Sequence, residues 1–422
     1  MTDSDVLAGL DEVPWADLDH AYGPADDVPG LLRALRSERA DERERALPEL
    51  YSNIFHQGNR YPATAPAVPF LAQLALDPAT PERNGIVYLL VAVAIAYDES
   101  QLPGGVDIAG WRAELGRMRS ADPAAELRKF DMWVDAARDE GESRGRSVHR
   151  AVDDYGRVLR SAQAELDAYD AVRAEVPALR GLLDDDDPLV RAATAYLLGW
   201  FPEEAAGSIT ALEALLERES VTGVIADAII SAGLLSATEL TPRLRDHLSG
   251  SEPVSRWAAA TALVRLGVVE PEVIGVLAAA SVDPPTTDTN AEISFMSGDV
   301  RGYSAQTLAA LSGRLPVEII DAVLEGLSRT SQVAAFPVAA AALRLVFPDG
   351  APCPLPPFAE LTGLQRRAVR ILAELGPETW RWLNFTSILE AWNLPDTHVE
   401  CRAYAGLDTS EQPPPSTFQQ LG

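Results

Sequence analysis

The apolar positions of residues 184–202, DDDDPLVRAATAYLLGWFP, recur at helical spacing. Val190, Thr194, Leu197, Leu198 and Phe201 fall on one face of a helix with a 3.6-residue period. Pro188 suits the first turn of that helix, where its missing N–H costs nothing. Asp186 and Asp187 precede it, where the partial positive charge of a helix N-terminus favours acids. One amphipathic helix of this length cannot bury its apolar face alone, so it predicts neighbours of the same kind.

Those neighbours are present as copies. Aligned on Arg191, the pattern returns at Arg256, followed by Ala259, Leu263, Leu266 and Gly267, and at Arg301, followed by Leu308 and Leu311. Gln365 leads a further copy through Ala368, Leu372, Leu375 and Gly376, and Arg43 another through Ala46 and Leu50. Thr222 and Ala335 lead weaker copies. The anchors 191, 222, 256, 301, 335 and 365 lie at intervals of 31, 34, 45, 34 and 30 residues, and the longest interval holds a Pro- and Thr-rich loop at 283–290. A second helical stretch lies between anchors, at 176–183, 203–218, 238–248, 271–280 and 316–327. Each unit therefore reads as helix–turn–helix, with small residues allowing close approach and Leu, Ile and Val filling the seam. Two earlier hairpins are predicted at 28–55 and 65–97. Each anchor Arg is expected to pair with the acid that precedes it or with one from the adjacent repeat.

The remainder departs from this period. Residues 1–25, with Trp15, His20, Tyr22, Gly23 and Pro24, are expected to form an N-terminal cap. Residues 98–171 read as a charged helical insertion. It has a short helix at 108–118 and two longer ones at 122–139 and 148–173, whose alternating acids and arginines suggest solvated or partner-facing surfaces. Between these two lies the flexible string EGESRGRS. Repeats resume over 172–347. A Pro-rich linker at 348–358 leads to a last helix and a cap over 359–409 containing Trp380, Trp382, Phe385 and Trp392. The tail 410–422 is expected to be disordered.

The D/E-x-V-R-x-x-A…L…LG copies resemble HEAT repeats over roughly 26–97 and 172–376, which implies an all-α, right-handed superhelical solenoid of helical hairpins. The string FHQGNRYPAT with APAVPFLAQL resembles a bacterial HEAT-type family of uncharacterised proteins with an H-Q-G…Y-x-A-T…A-V-P-F-L signature. His56, Gln57, Gly58, Tyr61, Ala63, Thr64, Ala67, Val68, Pro69, Phe70 and Leu71 match it, and LTGLQRRAVRIL followed by Trp and NLP is similar to the end of such proteins. The resemblance carries no activity over.

Composition then narrows the function. The chain has 422 residues, 47% hydrophobic and 23% charged, with 63 acids against 35 Lys and Arg and a net charge of −28. Such a chain repels nucleic-acid backbones and anionic lipid and attracts basic partners. Lys129 is the single lysine, which GC-rich codon usage explains. Cys353 and Cys401 are too few for a disulfide framework or a thiolate metal site. The N-terminus carries no signal-like run and no stretch approaches a membrane span, so the expected compartment is the cytoplasm.

The candidate binding residues are His56, Gln57, Asn59, Arg60 and Tyr61, in the loop between the first two hairpins. The bland alternative makes Gly58 a left-handed helix C-cap and His56 a partner of the last carbonyls. No metal is expected. The histidines 20, 56, 149, 247 and 398 are scattered, and none is followed by Glu as a HEAT-type iron hydroxylase would require. A HEAT-like DNA glycosylase would need a basic face, and a HEAT-like bilin lyase stays open. No Gly-rich phosphate loop or G-x-S-x-G elbow occurs, so no catalytic residue and no cofactor are assigned. The run 184–187 lacks the alternation, Gly and Glu of a calcium loop and reads as a capping turn. The expectation is a non-enzymatic protein-binding scaffold for a basic protein or peptide, in one version immunity- or antitoxin-like. The competing class is a HEAT-like enzyme acting on nucleic acid or a small ligand. Acidic turns at 41–44, 184–187 and 203–204 are expected to supply the field that draws the partner in.

Overall fold

A computed structural model describes residues 6–137, 143–144, 146–147, 155–287 and 292–409. Half of the string EGESRGRS, the start of the second long charged helix and the tail 410–422 lie outside these residues. The fold is all-α, about 70% helical. Its strands, among the described residues, are two pairs of two residues each. The chain divides into two compact units, Met1–Leu215 and Leu216–Gly422.

In the first unit, α1 (Val28–Ala34) and α2 (Ala40–Ile54) form one hairpin, and α3 (Thr64–Leu76) and α4 (Arg83–Ile95) a second. They coincide with the two hairpins that the sequence predicts. α5 (Ile108–Ser120) and α6 (Pro123–Asp135) follow, then α7 (Tyr155–Leu179) and α8 (Pro188–Leu198). α7 corrects the reading of the insertion. It runs through residue 171 without a break, and it packs on both α3 and α4. Ala164, Ala168, Tyr169, Val172, Val176 and Leu179 form its buried stripe at i, i+4 spacing. Two of the six are alanines, and acids and arginines crowd the other faces. α6, in contrast, has no buried residue and exposes Met132 and Trp133.

α9 (Ala205–Arg218) leads into the second unit, where α10 (Thr222–Leu234), α11 (Thr241–Ser249), α12 (Pro253–Arg265), α13 (Pro271–Val282), α14 (Val300–Ala309), α15 (Val317–Ser328), α16 (Ala335–Val346) and α17 (Gly363–Glu374) follow. Alternate helices contact each other as well as their hairpin mates: α10 meets α12, α14 meets α16 and α13 meets α15. The seam is tight. A Cβ added at Gly233 would lie 2.7 Å from the Ala262 Cα, so only glycine lets α10 approach α12 this closely. Leu263 is fully buried in that seam, as the repeat register requires.

The anchor arginines make a further bond that the sequence does not announce, and Arg43 also pairs with Glu82 of the adjacent hairpin at 3.6 Å. Each donates to a backbone carbonyl at or just beyond the C-terminal end of the helix before it. Arg43 Nη1 reaches the Ser37 carbonyl at 2.8 Å, Arg191 Nη1 that of Asp185 at 2.8 Å, Arg256 Nε that of Leu248 at 3.2 Å, and Arg301 Nη2 that of Val282 at 3.0 Å. Gln365 Nε2 does the same to Val346 at 3.0 Å. The last carbonyls of a helix lack intrahelical donors, and a long side chain from the next helix supplies one. The preceding acids cap the helix starts. Asp187 accepts from Leu189 N, Glu252 from Val254 N and Ser255 N, and Asp299 from Gly302 N. An amide thus makes at 365 the bond that a guanidinium makes in the other copies.

The Pro-rich stretch before α17 is tied down: Pro352 and Pro356 accept from Asn393 Nδ2 and the Tyr404 hydroxyl. The C-terminal helices α18 (Pro377–Trp380), α19 (Leu383–Ala391) and α20 (His398–Tyr404) cover α16 and α17. Trp380 and Phe385 form the buried core there, with Trp380 stacked on His398 at 5.0 Å. Trp382 departs from the expected cap core and remains exposed under the Arg381 guanidinium. Burial pushes the Cys401 thiol up to about 12, whereas Cys353 is exposed. Among the described residues no helix is long and apolar enough to cross a membrane, and no three His, Cys, Asp or Glu side chains are grouped to hold a metal.

Candidate functional site

The string 55–60 folds as a hairpin, with β3 (Phe55–His56) paired antiparallel to β4 (Asn59–Arg60). Its two turn residues, Gln57 and Gly58, have φ of 51° and 85°. Positive φ at both central positions is what a type I′ hairpin turn demands. This corrects the capping alternative: α2 ends at Ile54, and Gly58 belongs to the hairpin turn beyond it. A Cβ at Gly58 would also press to 3.2 Å from the Tyr97 ring.

A second hairpin lies beside the first. β1 (Asp19–His20) pairs with β2 (Gly23–Pro24). The two are fastened to the end of α2 and to each other. Ala21 N donates to the Asn53 carbonyl at 3.0 Å, and Ala63 N to the Asp19 carbonyl at 3.1 Å. Thr64 donates from its hydroxyl to the Ile54 carbonyl at 2.6 Å and accepts from Tyr61 N at 2.8 Å. His20 is buried; its Nδ1 accepts from Tyr22 N, so the Nε2–H tautomer is the one that donates to Asp27. Asn53 donates to the other Asp27 oxygen at 2.7 Å.

Tyr22 is the link between the hairpins. Its hydroxyl lies 3.0 Å from Ser52 Oγ and 3.3 Å from His56 Nδ1, and its ring stands edge-on to both His20 and His56. The ring is nonetheless 63% exposed. On the other flank Tyr97, 51% exposed, stands edge-on to Phe55 at 5.7 Å. The residue before it, Ala96, sits at φ 61° and ψ −119°, a conformation that non-glycine residues rarely adopt.

The five sequence-predicted residues divide. His56 is half-buried and held by Tyr22; Gln57 and Asn59 are exposed at the turn, Asn59 donating to the His56 carbonyl at 3.2 Å. Tyr61 is half-buried, and burial first, then the nearby Tyr22, push its hydroxyl pKa upward. Arg60 turns inward. It is buried, donates to the Gly58 carbonyl at 2.5 Å and pairs with Glu165 on α7 at 3.2 Å. Burial lowers its pKa and Glu165 opposes that shift. Arg60 is therefore a strut between the hairpin and α7. Tyr22 and Tyr97 are the exposed residues that the motif does not include. Asp17, Asp19, Asp26 and Glu99, close to them in sequence, are exposed and make no ion pair among the described residues.

The acidic turn at 203–204 contrasts with this surface. Arg112 binds Asp170 at 2.6 Å and Glu203 at 2.7 Å, and Arg180 binds Glu204 at 3.0 Å, with Arg173 beside all three acids. The fully buried Tyr169 donates to Glu203 at 2.8 Å; burial and that bond push its phenol well above the ordinary range. At 41–42, Arg39 and Arg45 likewise hold Asp41, and Arg39 holds Glu42. Asp185 is held by Arg83 at 2.6 Å. The acids expected to supply an attracting field at these turns are thus largely matched from within.

No family model matches the chain, and no curated protein matches it in sequence.

Proposed function

We propose that the protein is a non-enzymatic scaffold that binds a basic protein or peptide. The observation that carries this reading is where the arginines are spent. Acids outnumber Lys and Arg by 63 to 35. Arg43, Arg191, Arg256 and Arg301 donate to helix-end carbonyls, and Arg60 is buried. The net charge of −28 speeds capture of a cationic partner and opposes phosphate backbones. A protein that masks a basic toxin or nuclease is one form of such a scaffold, supported by the charge and by the resemblance to repeat proteins.

The test is a selection of displayed random peptides on the full chain, followed by association kinetics in a salt series and a duplex-DNA mobility shift. Enrichment of cationic peptides, with association slowing as salt screens charges beyond about 8 Å, supports the reading. Enrichment of acidic peptides, a salt-independent on-rate or tight DNA binding overturns it.

A further inference from the structure

We infer that the paired hairpins and Tyr97 form a recognition surface for arginine side chains carried on an extended basic segment. This rests on the scaffold reading and assigns it a place and a chemistry.

Three independent features converge. The first is a pair of exposed aromatic rings that are already immobilised. Tyr22 is pinned through its hydroxyl to Ser52 and His56 and flanked edge-on by two imidazoles, yet most of its surface is open. Tyr97 rests on Phe55 and against Gly58. A ring whose rotamer is fixed before binding loses little entropy on contact, which is why rigid tyrosines anchor interfaces. The second is the backbone. Ala96 and Gln57 both adopt positive φ, at 61° and 51°. Such conformations persist where the surroundings impose them, and here they carry Tyr97 and the exposed turn. The third is charge. Residues 17–27, 51–64 and 96–100 contain six carboxylates and one arginine, and that arginine is the buried Arg60. Asp17, Asp19, Asp26 and Glu99 have no ion-pair partner among the described residues.

Open aromatic faces with unpaired carboxylates a few residues away in sequence fit a guanidinium better than an ammonium. The planar guanidinium stacks on a ring while its edge donates two parallel hydrogen bonds to a carboxylate. Gln57 and Asn59 add exposed amides that can meet the backbone of the same segment.

Isothermal titration of the full chain with an acetylated, amidated peptide carrying four arginines spaced by glycine and serine tests this, beside its lysine and citrulline counterparts. The arginine peptide is expected to bind, the lysine peptide more weakly, and the citrulline peptide not measurably. Tyr22→Ala and Tyr97→Ala should each weaken the arginine peptide about two- to fivefold, and together about tenfold. Tyr22→Phe keeps the ring and releases its anchors, and Ala96→Gly keeps the Tyr97 ring and loosens its backbone. Each should weaken binding less than loss of the ring, with the thermal melt retained as evidence of folding. Trp382→Ala, an exposed aromatic in the second unit, should change nothing. Unchanged binding in the Tyr22/Tyr97 double variant would overturn the assigned place and leave the scaffold reading intact. Equal binding of citrulline would overturn the guanidinium chemistry. A wild-type chain that binds neither cationic peptide would overturn both proposals.

Discussion

Two acid-rich regions of the first unit look alike in sequence and differ in structure. Around Glu203 and Glu204, each carboxylate faces an arginine from α5, α7 or the turn after α7, and a buried phenol completes the network. Around the hairpins, Asp17, Asp19, Asp26 and Glu99 face no arginine among the described residues, and their aromatic neighbours are open. The first arrangement holds helices together. The second leaves charge available to something outside the chain. Counting acids along a sequence measures neither, because what matters is whether a cation from elsewhere in the fold has reached them.

The distinction can be broken by stability measurements. A seam residue outside both regions sets the scale: Leu263→Ala should lose about 2–5 kcal/mol, because it removes buried methylenes and leaves a cavity. Arg256→Ala should lose only about 1 kcal/mol, the worth of one hydrogen bond to a carbonyl. Urea unfolding checks both, and equal losses would mean that the repeat register is misassigned.

Glu203→Ala should come next, at about 1–3 kcal/mol, since it leaves the Tyr169 hydroxyl only the Trp200 carbonyl at 3.3 Å and uncovers one face of Arg112. Asp19→Ala and Asp26→Ala should stay within about 0.5 kcal/mol, as expected for surface substitutions away from caps and pairs. A loss at Asp26 comparable to that at Glu203 would erase the contrast between the regions.

Gly58→Ala should cost about 1–2 kcal/mol, because an L-residue is strained at φ 85° and its Cβ meets Tyr97. A neutral Gly58→Ala would contradict the type I′ turn. The smallest signal is a control on all the variants. A maleimide should label Cys353 in the native chain and spare Cys401, whose thiol is buried and held protonated with a pKa of about 12. Rapid native labelling of Cys401 would show that the C-terminal helices open.

The helical hairpins were legible because a 3.6-residue period, prolines at helix starts and acids at N-caps all agree. The destination of the anchor arginines was not. Asp187 and Glu252 stand near Arg191 and Arg256 in sequence and are occupied with helix N–H groups, while each guanidinium reaches back to a carbonyl of the preceding helical segment or turn. The packing of α7 on α3 and α4 was not legible, because its six buried residues are spread among the acids and arginines of a 25-residue helix. The string HQGN was recognised as unusual, yet two-residue strands have no period to detect, and Gln-Gly can end a helix or turn a hairpin. Tyr22 lies 34 residues from His56, so only the folded chain brings its hydroxyl to that imidazole.

The central claim is that available acids, rather than total acids, capture the partner. The direct measurement is the association rate of the arginine peptide with two variants of equal net charge. One carries Asp17→Asn, Asp19→Asn and Asp26→Asn at the hairpins. The other carries Asp41→Asn, Glu42→Gln and Glu204→Gln, where arginines already match the acids. The hairpin variant is expected to associate about tenfold more slowly at low salt, and the second to remain within about twofold of the wild type. Equal slowing in both variants would show that net charge alone governs capture and would contradict the account.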